Sequence, residues 1–161
     1  KEICLASERN DAAIFGAVDY CLSMRIKLTA EAKEQFFARS YVAICARMAG
    51  IAAIDAPFPA FRDMEAFKKN TLDGIQMGYE GRMIIHPSQV EVANQLYAPD
   101  PEEVEWSRRV VKVFEEEGIA KGTASVNLDG NMVDTPVYLR AKDVLKVQDE
   151  LDAMMARRKN V

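Results

Sequence analysis

The chain has 161 residues, 49% of them hydrophobic and 29% charged, with a formal net charge of −4. That balance excludes a disordered or membrane-spanning polypeptide, and scattered basic residues under an acidic net charge give no footprint for nucleic acid. Three cysteines, Cys4, Cys21 and Cys45, lack a C-x-x-C spacing, which argues against a disulfide framework or zinc knuckle and fits a reducing, cytoplasmic compartment.

A single histidine, His86, excludes multi-histidine metal sites and leaves carboxylates, the hard ligands that suit magnesium. The opening KEICLASERN has no apolar core or cleavage-site pattern, so it does not read as a signal peptide. It reads as the middle of a longer sequence.

In chain order, AAIFGAV at residues 12–18 is a short unbroken apolar run ending at Asp19, as expected of a strand buried on both faces. Thr29 resembles an N-cap, and Phe37, Tyr41, Ile44 and Met48 recur at helical spacing up to Gly50, which predicts a helix over about 30–48. A second apolar run, IAAID, ends at Asp55 before the turn-forming APFPAF. The next helix is predicted over about 63–77, with Met64, Phe67, Leu72 and Ile75 as its buried side and Gly74 as its weak point. RMIIH predicts a third strand ending at His86, and Pro87 suits the first turn of a helix whose inner face is Val90, Ala93 and Tyr97.

This alternation predicts parallel βαβ units, in either a doubly wound sheet or a (β/α)8 barrel. In both, Asp19, Asp55 and His86 stand at the carboxyl rim where such folds place their sites. APDPEE, near residue 98, marks a boundary between domains 1–98 and 99–161. Beyond it come a helix over about 101–117 that Gly118 ends, a hairpin at about 123–135, and an amphipathic helix over about 138–157.

A two-residue turn at Asp129-Gly130 pairs Ser125 with Asp134, Val126 with Val133 and Asn127 with Met132. Ala124, Val126, Leu128 and Val133 then share an apolar face, and Asp134 lies opposite with Ser125 and Asn127. That second face either meets solvent or covers a cleft, where Asp134 would suit proton transfer.

Asp19 follows a glycine-containing turn. Its carboxylate suits a hard cation, and backbone N–H groups near Gly16 and Ala17 suit an anion, although capping the next turn is the commoner role of such an acid. Asp55 has the same two readings. For His86, orientation and packing are expected of the side chain, with the backbone of the IHP segment nearer any ligand.

The ordered series IFGAVDY, AAIDAPF, GYEGRMIIHPSQV, APDPEEVEWSRRVV and NLDGNMVDTPV resembles the citrate lyase β-subunit-like enzymes of the HpcH/HpaI aldolase superfamily, including malyl-CoA and methylmalyl-CoA lyases. The resemblance covers nearly the whole chain. It implies an α/β fold: the C-terminal part of a (β/α)8 TIM barrel, about three βα units, followed by a small α+β lid with a β-hairpin.

The resemblance also implies a magnesium-dependent carbon–carbon lyase that cleaves or forms a malyl-type CoA thioester from an acyl-CoA and a 2-oxo acid such as glyoxylate. Asp19 matches the metal ligand, and the backbone of Gly16, Ala17 and Val18 matches the segment holding the keto-acid carboxylate. Asp55, Pro57, His86 and Pro87 match rim positions beside the thioester. Asp134 matches a lid aspartate that transfers a proton in a neighbouring subunit's site, within a homotrimer or hexamer. A family glutamate that shares the metal and a substrate-binding arginine would lie upstream, so activity is expected of a longer parent, cytoplasmic or in the mitochondrial matrix. The alternatives are a citrate lyase β subunit acting on a carrier-bound citryl thioester and a non-catalytic assembly or binding subunit.

Overall fold

The computed structural model describes residues 1–159. Contacts divide the chain into two units, Lys1–Tyr97 and Ala98–Val161. In the first, a short helix α1 (Glu2–Leu5) precedes β1 (Ala12–Ile14), α2 (Ala17–Met24), a 3₁₀ turn (Lys33–Gln35) and α3 (Phe36–Ala49). Then come β2 (Ala52–Asp55), α4 (Met64–Gln76), β3 (Gly81–Arg82) and α5 (Ser88–Tyr97). The three strands are parallel in the order β1-β2-β3, with Ala13 opposite Ala53 and Asp55 opposite Arg82.

Ala53, Asp55 and Arg82 are buried towards the helices. A core of small residues, including Ala43 and Ala46 of α3 and Ala53 and Ala56, lets α3 lie close against the sheet, while Phe58, Phe67 and Ala93 join α4 and α5. The opposite face is uncovered. Ile14 is 55% exposed there, and Met83 and Ile85, just past β3, are also exposed.

Several elements differ from the sequence expectation. The first strand stops at Ile14 rather than residue 18, because Gly16 opens α2 and the apolar residues after it coil into a helix. The third strand covers Gly81–Arg82, not residues 82–86: Met83 N–H still donates to Asp55 O (2.9 Å), but past Asp55 the partner strand turns into Ala56-Pro57. The helix expected from about residue 30 starts at Phe36. Thr29 is not its cap but is held by Glu34, whose carboxylate accepts from the Thr29 N–H (3.0 Å) and hydroxyl (2.7 Å).

Helix α3 turns its apolar stripe away from the sheet. Its stripe of Phe37, Tyr41, Ile44 and Met48 faces outward, Phe37 at 78% exposure, while Arg39 is buried. In α4, Asn70, Thr71 and Gly74 take the inner positions beside Phe67, and Leu72 is exposed. In α5, Gln89 and Ala93 are buried and Val90 is exposed.

The second unit begins with α6 (Pro101–Val113), capped by Asp100, whose carboxylate accepts from Glu102 N–H at 2.8 Å. Gly118 does not end this helix; the chain widens into a π turn over Phe114–Ile119 in which Gly118 is buried. Strands β4 (Ser125–Leu128) and β5 (Asn131–Asp134) pair antiparallel in the register expected from the Asp-Gly turn. Asp129 and Gly130 have φ of 54° and 84°, the two positive angles of a type I′ turn.

Val126, Leu128 and Val133 turn inward, whereas Ala124 is exposed. With Val110, Phe114, Tyr138 and Ala141 they form an apolar core. The last helix, α7 (Thr135–Lys159), starts three residues earlier than expected, for a reason that lies in Asp134. Among the described residues, no helix is long and apolar enough to cross a membrane.

Candidate functional site

The loops that leave the carboxyl ends of β1, β2 and β3 carry most of the residues singled out in the sequence. Gly16 is the N-cap of α2 and makes no side-chain cap, so the first N–H groups of that helix, from Ala17, Val18 and Asp19, have no partner within it. Such a helix start attracts an anion through aligned N–H groups and the positive end of the helix dipole. Ala17 is buried and fixes the turn, while Gly16 and Val18 are exposed.

The Asp19 side chain is exposed in the first turn of α2. A Cβ on Gly16 would come within 3.3 Å of its Oδ2, so glycine keeps open the space beside the carboxylate. An exposed carboxylate in open surroundings suits a hard cation that retains several waters. Among the described residues, no group of three or more His, Cys, Asp or Glu side chains is placed to hold a metal ion, so Asp19 can supply only part of a coordination shell.

Asp55 takes the opposite direction. It is fully buried and paired with Arg39, whose Nε donates to Oδ1 (2.8 Å) and Nη2 to Oδ2. Oδ1 also accepts from Ala56 N–H at 2.8 Å, which sets the start of the following loop. The carboxylate is therefore committed to the helix layer, and Asp55 acts on the rim through the loop that it anchors.

Around this pair lies a network that sequence reasoning missed. Arg82 donates to Thr71 Oγ1 (2.5 Å), Ala56 O (2.8 Å) and Asn70 Oδ1 (3.2 Å), and its guanidinium lies over the Phe67 ring. Arg39 reaches Asn70 O at 2.8 Å. Burial lowers the Arg82 pKa, and burial together with the Asp55 charge pushes the Tyr97 phenol up to about 12. Gly74 permits this packing, because a Cβ there would sit 2.8 Å from Arg39 Nη2.

His86 is half-buried and stacks on Phe61, with ring centroids 4.4 Å apart. Ser88 N–H donates to its Nδ1 (3.2 Å), which leaves Nε2 as the ring donor in the neutral form. Pro87 is exposed beside it. Gln89, also missed, ties two rim loops together: Nε2 donates to Phe58 O (3.0 Å) and Oε1 accepts from Ile85 N–H (3.3 Å). Its place at the end of IHPSQ was the available signal. Between the loops that follow β1 and β2 lies a cavity of about 200 Å³, with Ala17, Pro57 and Phe58 in its lining.

In the second unit, Asp134 is half-buried and pairs with Ser125 on the hairpin, as expected. Its Oδ1 also accepts from Val137 N–H (3.1 Å), which starts α7 at Thr135. The acid followed two residues later by Pro136 is a helix-start signal that could have placed this boundary.

The sequence pattern defining the HpcH/HpaI aldolase/citrate lyase group matches residues 1–87, more than half of the chain. The chain belongs to the HpcH/HpaI aldolase/citrate lyase family. It is 36% identical over 146 residues to the citrate lyase subunit beta of Leuconostoc mesenteroides subsp. cremoris, covering 91% of this chain and 48% of that protein. It is 29% identical to the mitochondrial citramalyl-CoA lyase of Homo sapiens, covering 84% of this chain and 39% of that protein. The chain thus spans about half the length of the curated relatives it matches.

Among solved structures, protein CitE from Mycobacterium tuberculosis, in complex with magnesium, acetoacetate and coenzyme A, superposes with a TM-score of 0.75 at 26% identity. That match covers 91% of this chain and 54% of CitE. The family segment of this chain holds β1, β2, β3 and the loops carrying Asp19, Pro57 and His86.

Proposed function

We propose that this chain is the C-terminal part of a (β/α)8 barrel followed by a lid, from a magnesium-dependent carbon–carbon lyase that cleaves or forms a malyl-type CoA thioester. The observation that carries the reading is the exposed Asp19 carboxylate beside the free N–H groups at the start of α2, on the carboxyl rim of a family sheet. The barrel reading draws support from helices on only one face of the parallel sheet, since a doubly wound sheet is covered on both. The exposed Ile14, Met83 and Ile85 would line the interior of a closed barrel.

When bound by Asp19 and by ligands from outside this chain, magnesium supplies Lewis-acid polarisation of the oxygen at the bond that breaks. The N–H groups of Ala17 and Val18, next to Gly16, bind the carboxylate of the 2-oxo acid half. Pro57, His86 and Pro87 form the rim beside the thioester, with Asp55 and Gln89 holding that rim in place. In cleavage, the substrate hydroxyl gives its proton to solvent water and becomes the 2-oxo acid carbonyl. The electron pair of the broken carbon–carbon bond passes to the thioester as an enolate, which takes a proton at its α-carbon. Asp134 of a neighbouring subunit in a homo-oligomer exchanges that proton, with Oδ1 fixed by Val137 N–H and Oδ2 left for transfer.

The test is the full-length parent assayed as Asp19→Ala and Asp134→Asn. Both should lose at least about a hundredfold in turnover, and only Asp19→Ala should change the magnesium dependence. Near-normal rates in both variants would remove these roles. Identity favours a second reading within the same chemistry, since the 36% relative is a citrate lyase subunit beta and the 29% relative a CoA lyase. Comparing free CoA esters with carrier-bound citryl thioesters separates them, and a parent that turns over neither is an assembly or binding subunit.

A further inference from the structure

The hairpin of the second unit has two faces of different kinds. Val126, Leu128 and Val133 turn into the apolar core, and by alternation Ser125, Asn127, Met132 and Asp134 share the other face. Three of these four are polar, as contact with water requires. Met132 is not, and at 68% it is the most exposed large apolar side chain among the described residues of that unit. Asn127 serves the turn, since its Oδ1 accepts from Gly130 N–H (3.1 Å), and Asp134 Oδ1 is held by Val137 N–H (3.1 Å).

Met132 stands two residues before Asp134 on β5, so their side chains leave the same face with backbones roughly 7 Å apart. When Asp134 Oδ2 exchanges a proton with a thioester α-carbon, the other substituents of that carbon lie within reach of the Met132 thioether. That side chain offers neither a proton nor a charge. It offers an unbranched, deformable apolar surface, which suits the hydrocarbon of an acyl group and not a carboxylate or a phosphate.

We propose that Met132 is the specificity-determining residue of the lid, its thioether packing against the substituent on the thioester α-carbon in the neighbouring subunit's site. The proposal rests on the lyase reading and on the lid role of Asp134, and adds the contact that tells acyl groups of different size apart. An acetyl thioester carries only hydrogens at that carbon, whereas a propionyl thioester carries a methyl. With three rotatable bonds, the methionine side chain folds aside for the methyl and closes over the hydrogens, so both thioesters are accepted. A shorter side chain at this position opens the contact to the larger acyl group, and a bulky ring closes it.

The test uses the full-length parent, with acetyl and propionyl groups supplied on coenzyme A and, in parallel, on a phosphopantetheinylated carrier. In Met132→Ala the ratio of kcat/KM for propionyl over acetyl thioester, in condensation with the 2-oxo acid, should rise at least about tenfold. In Met132→Phe it should fall by a similar factor. Met132 is exposed, so neither substitution reaches the hairpin core. A ratio unchanged in both variants would overturn the proposal. A second readout needs no turnover: the methyl resonance of Met132, assigned by its loss in Met132→Leu, should move with the propionyl thioester and stay in place with the carrier lacking an acyl group. A resonance blind to the acyl group would overturn the proposal whatever the rates. A parent that Asp134→Asn inactivates, but whose ratio ignores Met132, keeps the lyase reading and loses this contact. A parent whose Met132 resonance answers to the acyl group while Asp134→Asn turns over normally keeps the contact and loses the proton-transfer role of Asp134.

Discussion

Residues 1–97 and 98–161 are organised by different forces. In the first unit the layer between sheet and helices combines small apolar residues such as Ala43, Ala46 and Ala53 with a buried charged network: Asp55 lies between the strands and Arg39, with Arg82, Asn70 and Thr71 completing it. In the second, the centre is apolar, with Val110, Phe114, Val133, Tyr138 and Ala141 packed together and ion pairs such as Arg140–Glu103 left at the surface. The difference shows that one buried carboxylate can decide which face of a helix turns inward. Asp55 points at α3 and α4 and is met by Arg39, which sits on the inner face of α3 with Ala43 and Ala46, and the apolar stripe of α3 is left outside.

The sharpest way to break this contrast is Asp55→Ala. Arg39, 2% exposed, would lose its partner, and Arg82 would remain as a second buried cation. Removing one member of a buried pair costs about 3–5 kcal/mol, far more than the pair adds over apolar packing. Urea unfolding should report that loss. A cost below about 1 kcal/mol would mean that water or another acid reaches the guanidiniums.

Next in size is Gly74→Ala. By helix propensity alone it should stabilise α4 by about 1 kcal/mol. The new methyl would instead meet Arg39 Nη2 and the Asp55 carboxylate, side-chain ends that are held by their own buried ion pair and by Asn70 O. Overpacking of this kind costs about 2–3 kcal/mol. The sign of the change decides the matter, since stabilisation would show that the pair can shift aside.

These two residues also mark where the sequence could be read and where it could not. The hairpin was legible down to its register, because Asp-Gly admits the positive φ angles and the alternation on either side leaves one pairing. Helical period located α3 and α4 but not their inward faces, since a period of 3.6 identifies a stripe without saying which side meets the sheet. Phe37, Tyr41, Ile44 and Met48 made the stronger stripe, and Arg39 won the interior because Asp55 was already there. Gly74 looked like a flaw for the same reason: the partner that requires it is distant in sequence. Of the candidate site, the strand-end positions of Asp19 and Asp55 were readable, but not that one carboxylate faces out and the other in. Gln89 and the arginine network depend on contacts across loops, which spacing does not encode.

In the apolar unit the counterpart is Val133→Ala. Val133 is fully buried, and losing two methyl groups should cost about 2 kcal/mol through lost burial and the cavity left behind. Replacement by isoleucine tests the other side of the comparison, because the added methylene must be fitted into a filled apolar core, an overpacking that costs about 1–3 kcal/mol. If both substitutions were as costly as Asp55→Ala, the two units would share one kind of packing rigidity after all.

The smallest effect belongs to Glu34, which clasps Thr29 and Gln35 at the edge of the cavity. Burial works to raise its pKa, but hydrogen bonds from the Thr29 hydroxyl, Gln35 and the Thr29 N–H prevail and lower it from 4.5 to about 2. Folding therefore favours the ionised form. Its contribution is fully present above the ordinary value of 4.5 and is lost as pH falls through the folded value near 2. Glu34→Gln removes the charge but keeps the shape, so the stability gap between wild type and variant should be constant above that range and close as acid is added. Urea midpoints across the acid limb measure it directly. A gap that does not change with pH would assign the clasp to shape alone, leaving Asp55 as the one acid in the unit whose charge organises its surroundings.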